Sequence, residues 1–128
     1  MKALLTVSAF FEAPVGLLLL VVPGIVFPVL MGAPLESSGA FVMARLAGAA
    51  ILALAIACWQ ARDAGPAAAS IAIAMLFYNV AATAVIGYAS IRLGMSSVFL
   101  WPVMVLHSAL ALWCAFALWA VRNRAEKA

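Results

Sequence analysis

Four apolar runs of about twenty residues constrain this chain more than any other feature. They cover about residues 3–22, 39–61, 67–88 and 98–121 and are parted only by short polar or proline-containing segments. A helix of that length rises about 30 Å, the thickness of a bilayer's hydrocarbon core. A helix also satisfies every backbone N–H and C=O within its own segment, as lipid demands. Soluble domains are roughly half apolar and roughly a quarter charged. This chain is 70% hydrophobic and 9% charged, too few polar side chains to cover a water-soluble surface. The expected fold is therefore an all-α integral membrane protein, a single domain over residues 1–128. Its short connections place the four helices up-down-up-down.

The first run follows Met1-Lys2, a start that a signal peptide shares. It holds Glu12 and Pro14 and ends at Pro23-Gly24 without a small-x-small cleavage site, so a retained helix with a bend at Pro14 is expected. Pro23, Pro28 and Pro34 break the next stretch into an extension of helix one or a short element in the interface. Glu36-Ser37-Ser38 supplies a cap for the second helix, and Pro66 suits the first turn of the third. A loop over residues 89–97 holds Arg92 and Gly94, and the charged tail from Arg122 is expected to fray.

With four spans, both termini share a side. That side holds Lys2, Arg62, Arg122, Arg124 and Lys127, against Arg92 on the other. The positive-inside rule makes it the cytoplasm, which points to the bacterial inner membrane. Trp59 and Trp119 then fall near the inner interface, Tyr88 and Trp101 near the outer one. The formal net charge of +3 arises in the ends and loops, so it reads as an orientation signal and not as a nucleic-acid patch.

Each span contributes one strongly polar side chain near its middle. Counted from the cytoplasmic end, Glu12 lies about 14 Å deep, Arg45 about 21–24 Å, Asn79 about 18 Å and His107 about 18–20 Å. Glu12 and Arg45 are the acid and the base within the spans, and arginine's long stem makes a pair between them the expectation. Asn79 can bridge partners, and His107 supplies a donor and an acceptor. On neighbouring turns or positions stand the secondary candidates Tyr78, Thr83, Met104 and Cys114. Ala44 and Gly48 form a small-x-x-x-small pair beside Arg45 that permits close helix approach.

Two readings of this cluster remain open. In one it binds or transports a small molecule, a lipid or a proton, since intramembrane ionisable residues are functional hypotheses by default. In the other the chain is a non-catalytic structural or accessory subunit whose polar contacts only fix helix packing. Arg45 has a further alternative, snorkelling outward to headgroups. The partners are the bilayer and, in the second reading, another membrane protein or a second copy.

Cys58 and Cys114 fall at matched depth on the reducing side and read as small apolar core residues, with a paired redox role as the alternative. Met104, His107 and Cys114 lack ligand spacing, and one histidine excludes bis-histidine haem. No metal, haem or copper cofactor is expected. Nucleotide-binding, nucleophile-elbow and zinc-protease motifs are absent from the sequence, so enzymatic activity is not the expectation.

A glycine-bearing first helix ending at proline (Gly16, Pro23) precedes R-x-x-G-x-x-x-L in the second (Arg45, Gly48, Leu52). In this order of elements the whole chain resembles the small bacterial four-helix membrane proteins grouped as DoxX-like. The resemblance implies a four-helix inner-membrane fold and no particular activity. The position of Glu12 in helix one is also similar to that of the membrane-embedded glutamate in small multidrug-resistance transporters, as analogy only.

Overall fold

The structure, a computed structural model, describes residues 1–125; Lys127, counted above among the cytoplasmic cations, lies outside the described residues. Five helices follow in order: α1 Lys2–Val21, α2 Pro23–Met31, α3 Ser38–Ala61, α4 Pro66–Leu93 and α5 Leu100–Ala125. Four of them, all but α2, are long and apolar enough to cross a membrane. No strand occurs among the described residues.

Local chemistry explains the boundaries. Ser37 caps α3, its hydroxyl accepting from the Ala40 N–H at 3.1 Å. Gly65 (φ 54°) precedes Pro66, which opens α4 where its missing N–H costs nothing. The fourth helix runs five residues past the expected end at residue 88. Nothing in Ala89-Ser90-Ile91-Arg92-Leu93 breaks a helix, and the stop comes only at Gly94 (φ 67°), with Arg92 in the last turn, where a cation suits the negative end of the helix dipole. The fifth helix likewise continues through Arg122 to Ala125, where a frayed tail was expected.

The proline-rich stretch resolves into a separate element. Val22 leaves the helical region (φ −128°, ψ 53°), and Pro23 starts α2 afresh. This short helix ends at Gly32 (φ 73°), where a side chain would collide with the Ser96 carbonyl. Beside that contact the Ser97 hydroxyl donates to the Leu30 carbonyl at 2.7 Å. At the opposite end of the bundle Lys2 meets Asp63 in the α3–α4 turn at 2.8 Å, and Arg62 lies over the Trp59 ring at 3.7 Å.

Two helical hairpins result. Helix α1 packs chiefly on α3, and α4 chiefly on α5. The α1–α3 contact is a backbone contact: a Cβ on Gly16 would stand 2.6 Å from the Leu52 nitrogen, and one on Gly48 would stand 2.5 Å from the Leu20 nitrogen. Small residues at this crossing give the dispersion contact that drives helix association in lipid. The two hairpins meet more loosely. Their common core, Leu4, Leu5, Cys58, Ala72, Met75 and Cys114 among others, gathers toward the end that holds Lys2 and Asp63. Large apolar side chains point outward instead, Phe77 at 77%, Ile91 at 78% and Val98 at 86% exposed. Such a surface matches hydrocarbon and not water.

Candidate functional site

The buried stripe of α1 runs Leu5, Ser8, Glu12, Gly16 and Leu19, spaced three or four apart as one helix face requires. Glu12 is the carboxylic acid of that stripe and is 4% exposed. Its partner is Tyr78 on α4, whose hydroxyl donates to Oε2 at 3.0 Å. The carboxyl's Oε1 takes no protein donor among the described residues.

Asn79 and His107 follow from the same periodicity on α4 and α5. Asn79 is fully buried and its amide N–H donates to the Met75 carbonyl at 2.7 Å. That bond turns Oδ1 toward α5, where it lies 2.8 Å from His107 Nδ1. An amide oxygen only accepts, so Nδ1 carries the proton and donates. In the neutral imidazole Nε2 is then a bare acceptor, and it has no protein partner among the described residues. The Tyr78 ring meets His107 edge to face at 5.5 Å, which ties the two bonded pairs into one group.

The group forms the polar wall of a cavity of about 250 Å³ between the hairpins. Phe11, Glu12, Val15 and Leu19 of α1 line it, with Ile51 of α3, Tyr78, Ala82, Val85 and Ile86 of α4, and Val103, Leu106 and His107 of α5. Leu30 and Met31 of α2 complete the wall at the far end. The arrangement is a short apolar chamber with hydrogen-bonding groups gathered at the end near the helix centres. It suits a small molecule with an apolar body and a donor that meets the free carboxyl oxygen and the imidazole nitrogen.

The expected site is thus assembled in part. Glu12, Asn79 and His107 come together, and Tyr78, a secondary candidate, joins them as the direct partner of Glu12. The Arg45–Glu12 pair does not form: Arg45 lies exposed on α3, and the ion pairs among the described residues join Asp63 to Lys2 and Arg62. Ala44 and Gly48 are buried as expected, but Arg45 is turned about 100° from Ala44 around the helix and faces outward with Ala49. Thr83 back-bonds to the Asn79 carbonyl and lies 3.4 Å from Ser108 in a furrow on the α4–α5 surface. Met104 packs beside Gly87, and Cys114 sits in the buried core with Cys58, both as free thiols. No group of three or more histidine, cysteine or acidic side chains suited to a metal occurs among the described residues.

Two features went unread in the sequence. Ser8, one turn from Glu12 on the same face, is fully buried with no partner for its hydroxyl. The spacing Ser8–Glu12 was a usable signal. The role of Leu30 and Met31 as cavity wall had none, because it depends on how α2 folds back over the bundle.

Comparison with protein-family models, curated proteins and solved structures found no match to the chain. The four helices suited to a membrane and the polar-ended cavity between them therefore carry the functional argument.

Proposed function

We propose that this chain is a small polytopic protein of the bacterial inner membrane, with both termini cytoplasmic, that binds or transports a small molecule or a proton in the cavity between its hairpins. One observation carries the reading. Glu12, Tyr78 and His107 line the chamber and keep hydrogen-bonding capacity unspent, where a purely structural cluster would be fully paired. Tyr78 and Asn79 position the carboxyl and the imidazole; Oε1 of Glu12 and Nε2 of His107 do the binding. The orientation rests on the cluster of cations at the Lys2–Arg62–Arg122 end.

The resemblance to DoxX-like proteins is kept as a proposal about family. Gly16 and Gly48, which carry it, are the residues that bring α1 and α3 into contact. The accessory-subunit reading draws on a different observation, the exposed Arg45 on a helix otherwise suited to lipid.

Native mass spectrometry of the protein released from mild detergent tests the binding reading. The expected spectrum shows a retained small molecule that is lost in the Glu12→Gln and His107→Ala proteins while the fold persists. A bare chain with no adduct, together with no saturable binding of small donor-bearing probes, would sink it.

A further inference from the structure

The cavity is separated from the outer surface of α3 and α4 by one layer of side chains. A furrow of about 460 Å³ runs along that surface, lined by Ala50, Ile51, Ala53, Leu54 and Ala57 of α3 and by Tyr78 of α4. Ile51 and Tyr78 line the cavity as well. Each is half-buried, one side toward the chamber and the other toward the furrow. The furrow exists because α3 presents alanines here, too short to bridge to α4, so this helix pair meets far less closely than α1 with α3 or α4 with α5.

Other surface furrows differ. Those on α1–α3 (about 660 Å³) and α4–α5 (about 520 Å³) share no lining residue with the cavity. A furrow of about 370 Å³ between α1 and α2 shares Val15 and Leu30, at the apolar end, and carries no polar group. The α3–α4 furrow alone among these reaches the residue that bonds Glu12.

We infer that the α3–α4 furrow is the ligand's route from the bilayer, with Tyr78 as its latch and Ile51 as its sill, and that the ligand is uncharged, lipid-soluble and bears a hydrogen-bond donor. The inference rests on the cavity being a binding site. The furrow opens onto a surface suited to hydrocarbon, so an ion would have to shed its water before reaching it. Turning the Tyr78 ring aside joins furrow and cavity and breaks the hydroxyl's bond to Glu12. The incoming donor then reaches Oε1, which takes no protein donor among the described residues, and the hydroxyl returns to Oε2 behind it. Ile51, beside Tyr78, sets the width of the passage.

Indole is a suitable probe: neutral, membrane-soluble and carrying a single N–H donor. Methyl relaxation dispersion on the full chain in lipid nanodiscs reads its binding and exchange at Ile86, Val103 and Leu106. The expected result is saturable binding in the parent. In Ala53→Trp, which fills the furrow without touching the cavity, exchange slows by about tenfold, a barrier effect, at unchanged affinity. In Tyr78→Phe, which lacks the latch bond, exchange quickens. A second variant, Ile25→Trp, obstructs the α1–α2 furrow and leaves the rate as it was. Unchanged exchange in Ala53→Trp, or slowing in Ile25→Trp instead, overturns the route while leaving the binding site standing. No saturable binding in the parent overturns both.

Discussion

Arg45 and Glu12 show how differently two charges are treated by one bundle. Arg45 remains on the outer face of α3, where its long stem can carry the guanidinium toward headgroups. Glu12 is enclosed and depends on a neutral donor, the Tyr78 hydroxyl. Arg45→Met should therefore change unfolding free energy by less than about 0.5 kcal/mol, as surface replacements do. Breaking a buried ion pair costs about 3–5 kcal/mol, so a loss of that size in reversible unfolding from detergent would restore the pair. Tyr78→Phe leaves the buried carboxyl without its donor and should destabilise by about 1–3 kcal/mol in the same assay. At the bundle's end the Lys2 ammonium bonded to Asp63 holds its carboxyl below the ordinary aspartate range. The folded value is the lower one, so this contribution is present at neutral pH and fades only as the pH falls below the ordinary 3.8. Both side chains are largely exposed, so thermal melts should be flat in this respect from pH 8 to 5. A fall in melting temperature that Lys2→Ala abolishes within that range would contradict it.

At the scale of the helices, the crossing of α1 and α3 is set by Gly16 and Gly48. Alanine at either position places a methyl against backbone atoms of the partner helix, which cannot swing aside as a side chain can. Overpacking of this kind typically costs about 1–3 kcal/mol, and Gly48→Ala should lose that much while Gly39→Ala, in open space but for Ser37, should not. Equal effects of the two would refute a backbone contact. Element boundaries were legible where punctuation is chemical: Ser37 as cap and Pro66 as first turn stand where the residues place them. They were missed where a boundary depends on the absence of a breaker, as in the extension of α4 to Gly94. The Ala44–Gly48 pair marked the inward face of α3, but how far that face reaches around the helix was not legible. The helix is apolar or small on every side, so hydrophobic periodicity carries no phase, and alanines occur both in the crossing and on the surface. Arg45 was misplaced for that reason. Asn79 and His107 were legible because a buried amide and imidazole need each other wherever the bundle closes.

For the whole molecule, two tight hairpins with a looser seam leave a chamber where the seam is least filled. The buried stripe of α4 steps from Asn79 to Ile86, and Ala82 in the gap lines the cavity instead of filling it. Filling it with Ala82→Leu should raise stability or leave it unchanged while abolishing binding of small donor-bearing probes. Saturable binding that persists in a folded Ala82→Leu protein would contradict it. The cations at the Lys2–Arg62–Arg122 end predict that a fluorescent-protein fusion at the C-terminus glows and that an alkaline phosphatase fusion there is inactive. The reverse pattern would invert the proposed orientation.

Contact between the Glu12 carboxyl and a ligand in this chamber has a direct spectroscopic reading. Among the described residues Glu12 is the acidic residue within the four spans; Glu36 and Asp63 lie outside them. Infrared difference spectra of the protein in nanodiscs, with and without saturating indole, therefore report on one buried carboxyl. That band is expected to shift on binding, a change absent from the Glu12→Gln protein. Saturable indole binding with an unmoved Glu12 band would contradict it.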